Sequence, residues 1–206
     1  SVEKQSAEQT SFPLQLISDR YAIGFSTAIA LYVIAEAAIY VWMPTYLASY
    51  TGRYDTAAAY ALTTFFVLRA GGRFLGAWVL SHLSWQTTLT FFSGMVAACY
   101  AGAVLLGVEY AVWLLPLSGL FMSVIYPTLN SKGISCFKSG QHGAIAGTLL
   151  FFTTAAAAIG PLIMALLGDA FGNVAYGFFF TMACAAILFG MCLANQYFNL
   201  TKDRLG

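Results

Sequence analysis

The chain has 206 residues, 60% of them hydrophobic and 8% charged, with a formal net charge of +1. A soluble domain carries about 25% charged residues, so this chain cannot coat a globule with polar groups and reads as a membrane protein. Its near-neutral balance offers no basis for binding nucleic acid or an acidic partner.

In chain order, the first stretch, "SVEKQSAEQTSFPLQ", is polar. It carries no signal peptide and reads as an internal loop rather than a natural start. Residues 1–20 are expected to be a cytoplasmic loop. A spanning helix needs roughly 20 mostly apolar residues. Six stretches meet that need: Ala22–Tyr46, Thr56–Leu80, Gln86–Leu106, Ala111–Asn130, Gly143–Leu167 and Val174–Tyr197. Short polar segments separate them, so sequential helices are expected to be neighbours. The expected fold is all-α: a polytopic membrane protein with a six-transmembrane-helix bundle over 21–197 and a cytoplasmic tail over 198–206.

Lys and Arg stay cytoplasmic in short loops. Lys4 and Arg20 precede the first span, Lys132 and Lys138 follow the fourth, and Lys202 and Arg204 follow the sixth. Of the loop cations, Arg53 alone falls on the other side. Both termini are therefore expected in the cytoplasm, in an inner or plasma membrane. Trp85 and Trp113 lie near span ends, where aromatic belts form.

Ionisable groups within spans are expensive and mark function. Glu36 lies about midway along the first span. Arg69 lies at matching depth on the second, which runs the opposite way, and Arg73 is one turn nearer the cytoplasm on the same face. Glu36 is expected to pair with Arg69 and to face the bundle interior. Tyr32, Glu36 and Tyr40 form one stripe at i, i+4 and i+8. Ser123, Tyr126 and Asn130 repeat at helical spacing on the fourth span. Aromatic faces with hydroxyl and amide groups suit a sugar or polyol. A structural ion pair explains the arginines equally well, and Ser123, Thr153 and Thr154 are expected to hydrogen-bond between helices.

Pro44, Pro116, Pro127 and Pro161 fall in or beside spans, where a proline removes a backbone hydrogen bond. Pro127 and the Gly160–Pro161 pair are candidate hinges, and inert packing kinks are the alternative. Gly72 and Gly76 form a small-xxx-small pair that lets helices approach closely. Cys99, Cys184 and Cys192 sit in apolar runs and pack as small hydrophobes. His82 and His142 are lone residues at helix ends, and Asp169 reads as a turn or cap. No triad, HExxH, phosphate loop or CxxC is present, so no enzyme, metal or cofactor chemistry is expected.

The segments "YVIAEAAIYVWMPTYL", "GGRFLGAWVLSHL", "GLFMSVIYPTLNSKGI" and "GPLIMALLGDAFG" resemble the carboxyl-terminal half of the major facilitator superfamily. They are most similar to the fucose–proton symporter family. The resemblance implies a transporter of two six-helix halves with the substrate at the midplane between them. The helices here would be the seventh to twelfth. The missing partner would be an amino-terminal half or a second subunit. A proton would be the coupling ion, with the main coupling carboxylates on the other half. The loop "SHLSWQ" departs from the superfamily in lacking an Asp-Arg and basic pair. Secondary active transport of a sugar or small polyol by alternating access is the leading reading. A facilitator or exporter of another small solute is one alternative, and a non-transporting six-helix assembly module is another.

Overall fold

The computed structural model describes residues 18–48 and 50–205. Lys4 and most of the expected 1–20 loop lie outside them. The described residues are helical and contain no strand. The elements are α1 (Arg20–Ala48), α2 (Asp55–Ala59), α3 (Ala61–His82), α4 (Trp85–Leu105), α5 (Val108–Ser135), a 3₁₀ turn (Ser139–Gln141), α6 (His142–Phe171), α7 (Ala175–Phe198) and α8 (Lys202–Leu205).

Six of these are long helices, as expected, and together they form the bundle. Two expected boundaries are corrected. The span read as Thr56–Leu80 is divided at Tyr60, which caps α2 and precedes α3. Lys132, read as a loop residue, lies in the last turn of α5. Five helices are long and apolar enough to cross a membrane: α1, α4, α5, α6 with its preceding turn, and α7. The sixth, α3, is 22 residues long but carries Arg69 and Arg73. Two guanidiniums dilute its apolar character, and one of them, Arg69, is held by Glu36 of α1.

Helix ends follow local chemistry. Ser84 caps α4, its hydroxyl accepting the Thr87 N–H at 3.2 Å. Gly172 closes α6 at φ 69° and Asn199 closes α7 at φ 47°, both in the left-handed region that glycine and asparagine tolerate. The expected capping role of Asp169 falls instead to Gly172 and to Asn173, whose side-chain oxygen accepts the Ala175 N–H at 2.8 Å.

The core is built on α1 and α5, which pack on each other. Against α5 lie α3 and α4, against α1 lie α6 and α7, and α4 meets α7 to close the far side. Small residues set the α3–α5 distance. A Cβ on Gly72 would overlap the Leu120 carbonyl, and one on Gly76 would overlap Val124. From the other helix, a Cβ on Gly119 would meet the Phe65 carbonyl oxygen at 2.5 Å. Such close backbone approach drives helix association where no hydrophobic effect operates between lipid and protein.

Several buried serine and threonine hydroxyls are spent close by along the chain. Ser118 donates to the Leu115 carbonyl, Thr181 to that of Phe178 and Thr88 to that of Ser84. Ser123, Thr153 and Thr154 follow this pattern, donating to Leu120, Leu149 and Leu150. For Ser123 and Thr154 the expected bonds between helices give way to bonds along them, because a hydroxyl on a helix reaches its own i−3 or i−4 carbonyl first, while Thr153 also lies 3.5 Å from the Tyr126 hydroxyl of α5. All four cysteines are free and buried, Cys136 included. The tail folds back: Arg204 binds Asp19 at 2.7 Å and Arg20 binds Asp203 at 2.8 Å, joining α8 to the start of α1.

Candidate functional site

Glu36 is 8% exposed and sits midway along α1. Its Oε1 pairs with the Arg69 guanidinium from α3. The Tyr32 hydroxyl, one turn earlier on α1, donates to the same oxygen at 2.7 Å and lies 3.0 Å from the Met122 carbonyl oxygen of α5. The Tyr32 ring packs against Tyr126 of α5 with centroids 6.1 Å apart. The Tyr126 hydroxyl in turn lies 3.5 Å from Thr153 Oγ1 on α6. Four helices therefore meet here, through the bonded set Arg69, Glu36 and Tyr32 and the ring contact from Tyr32 to Tyr126, whose hydroxyl faces Thr153.

Burying an ion pair is justified only when further hydrogen bonds satisfy the remaining lone pairs. Tyr32 supplies one here. A fully buried Tyr100 on α4 donates its hydroxyl to the Ala35 carbonyl at 2.5 Å, fixing the turn of α1 that carries Glu36.

Beside the pair an open cleft of about 630 Å³ lies between α3 and α5. Arg69, Arg73, Ser123, Tyr126, Thr128 and Lys132 are among its polar residues, with Pro127 and Trp85 among its apolar ones. Lys132 Nζ lies 5.8 Å from the Trp85 ring centroid.

The structure brings together Tyr32, Glu36, Arg69 and Tyr126, and places Arg73 and Pro127 on the adjoining cleft. Tyr40, on the same stripe, turns outward and is 38% exposed. Asn130 is half-buried and lies off the cleft wall. Gly160 and Pro161 lie elsewhere, within an unbroken α6, where Gly160 packs on Ile34 of α1. Sequence reading missed Tyr100, Thr128 and the Met122 carbonyl. Tyr100 stands in an apolar run with no polar periodicity to mark it, and a backbone carbonyl has no signature at all. Among the described residues no three His, Cys, Asp or Glu side chains gather to hold a metal.

No family model matches the chain. It is 26% identical over 167 residues to the L-fucose-proton symporter of Escherichia coli (strain K12), covering 81% of this chain and 36% of that protein. It is also 26% identical over 171 residues to a glucose/galactose transporter of Brucella abortus biovar 1 (strain 9-941), covering 82% of this chain and 41% of that one. Among solved structures, a Major Facilitator Superfamily transporter, FucP, in the outward conformation superposes with a TM-score of 0.78 at 25% identity, over 89% of this chain and 44% of that one. A second structure of the E. coli fucose:proton symporter gives a TM-score of 0.76 at 26% identity, over 87% of this chain and 43% of that one. The chain thus spans less than half the length of these relatives, which are transporters and not enzymes. The chain is a multi-pass integral membrane protein with the fold of one six-helix half of a major facilitator transporter, and over that half it is similar to the fucose–proton symporter and to glucose/galactose transporters.

Proposed function

We propose that this chain is the carboxyl-terminal half of a secondary transporter that moves a sugar or small polyol by alternating access, coupled to protons. The observation that carries the reading is the buried Glu36–Arg69 pair at the meeting point of four helices, opening beside a cleft. A carboxylate and a guanidinium at mid-depth in a membrane helix pair are costly, and that cost is hard to explain in a bundle that only assembles.

On this reading Arg69 holds Glu36 in its ionised form until the pair loosens. The carboxylate is then free to accept hydrogen bonds from sugar hydroxyls. Tyr126 offers an aromatic face to the apolar face of the ring, and Ser123, Thr128 and Arg73 offer polar groups to its edges. The Gly160–Pro161 segment and Pro127 serve as hinges between inward-open and outward-open states. Residues 1–20 and 198–206 lie in the cytoplasm, with both ends of the bundle on that side of an inner or plasma membrane. The other half, or a second subunit, closes the site.

The test is sugar uptake into proteoliposomes holding the protein that contains this chain. Uptake of a neutral hexose is expected to rise with an inward proton gradient. Glu36→Gln is expected to abolish that response, or uptake itself, in protein that still inserts. Wild-type uptake and coupling in Glu36→Gln would leave the acid as a structural residue.

A further inference from the structure

We infer that the Tyr32 hydroxyl is a two-position hydrogen-bond switch that reports the protonation of Glu36 to α5. The inference rests on the reading above, in which transport is coupled to protons and Glu36 is needed for that response, and it takes Glu36 itself as the group that is protonated. A phenol hydroxyl carries one hydrogen and accepts as well as donates. Here it has two acceptors at once, Glu36 Oε1 at 2.7 Å and the Met122 carbonyl oxygen at 3.0 Å. One hydrogen serves one of them at full strength. Tyr32 is 1% exposed, so no solvent can serve the other.

With Glu36 ionised, the stronger partner is the carboxylate, because a charged acceptor roughly doubles the strength of a hydrogen bond. The hydroxyl then points along α1, and Met122 receives no hydrogen from Tyr32. When Glu36 takes up a proton, the carboxyl gains an O–H and must find an acceptor. The Tyr32 oxygen is already in place. Glu36 donates to it, and the tyrosine hydrogen turns to the Met122 carbonyl. One proton is gained, and the new carboxyl O–H and the Tyr32 O–H each have an acceptor in place.

Two consequences reach the cleft. A proton on Glu36 removes the charge that held Arg69, which lines the cleft and is thereby released toward it. The new bond to Met122 tightens α1 against α5 just before Pro127, whose missing N–H leaves the Ser123 carbonyl without its helical partner. The other charged or titratable groups facing Glu36 are Arg69 and Arg73 from α3, Tyr40 on α1 and Tyr100 from α4, while Tyr126 of α5 packs on the Tyr32 ring. Of these hydroxyls, Tyr32's is the one hydrogen-bonded to the carboxylate.

Acid-induced difference infrared spectroscopy on the protein in liposomes tests the switch. Wild type is expected to gain a protonated-carboxyl C=O band on acidification that Glu36→Gln lacks. In Tyr32→Phe, which keeps the ring and its packing, that band is expected to move to higher wavenumber, because the carboxyl proton loses its acceptor. A band unmoved in Tyr32→Phe would overturn the switch while leaving Glu36 as the proton carrier. An acid response with no band that Glu36→Gln removes would overturn the switch together with the reading it rests on.

Discussion

Trp42 of α1 donates its indole N–H to the backbone carbonyl of Pro161 on α6 at 3.1 Å. The bond ties α1, which carries Glu36, to the one segment of α6 where a proline interrupts the backbone ladder. One end of the candidate hinge is thus anchored to the helix that bears the charge.

Pro161→Ala restores a backbone N–H and stiffens α6 at that point. Maximal uptake is expected to fall several-fold, while the sugar concentration giving half-maximal uptake stays within about twofold. Trp42→Phe, which loses one hydrogen bond worth about 1 kcal/mol, is expected to lower thermal stability modestly. Uptake kinetics of Pro161→Ala indistinguishable from wild type would make Pro161 a packing proline.

Arg69→Gln alone leaves Glu36 as an uncompensated buried charge, at a cost of about 3–5 kcal/mol, and Glu36→Gln costs less because Arg69 is part-exposed on the cleft. The double variant is expected to recover much of that loss in folding without recovering transport. Thermal melts of the four proteins in one detergent form a double-mutant cycle, and additive losses would deny the coupling.

Gly72→Ala puts a methyl into the Leu120 carbonyl of the facing helix, where only backbone can yield. Overpacking of this kind costs about 1–3 kcal/mol. Gly71→Ala, next to it, meets nothing within 4 Å and removes a helix-interior glycine, so it is expected to be neutral or to stabilise by up to about 1 kcal/mol. Melting temperatures that fail to separate the two variants would refute the close α3–α5 approach.

Asp19 sits outside the membrane spans at the foot of α1. Partial burial pushes its carboxyl upward, but hydrogen bonds from Arg204 and the Tyr21 N–H outweigh this and hold it below the usual carboxylate value of 3.8. A depressed acid stabilises the folded form above its unfolded pKa and loses that contribution as pH falls through its folded one. Docking of α8 is therefore expected to be constant above about pH 5 and to weaken only at strongly acid pH. A spin-label distance between α8 and the α5–α6 turn would follow this. Release of α8 at neutral pH in wild type would contradict the assignment.

Orientation is tested by impermeant thiol labelling in cysteine-substituted cells. Arg53→Cys is expected to label from outside and Lys138→Cys only from the cytoplasm. Labelling of both from the same side would overturn the alternation of the spans.

The sequence by itself determined the membrane class, six long helices within a few residues, and the Glu36–Arg69 pairing. Those properties depend on composition, on run length and on matching depth, which a fixed rise per residue makes countable. The glycines of α3 also announced a close contact, because absence of a side chain is a local fact. What only the tertiary structure decided was which helix meets which. The sequence put Tyr32, Glu36 and Tyr40 on one stripe. Packing then buried the first two and left Tyr40 38% exposed. Tyr100 and the Met122 carbonyl joined the site from α4 and α5 with no signal along the chain. A backbone acceptor becomes specific only when another helix brings a donor to it, and that distance is set by packing across the bundle rather than by any local spacing.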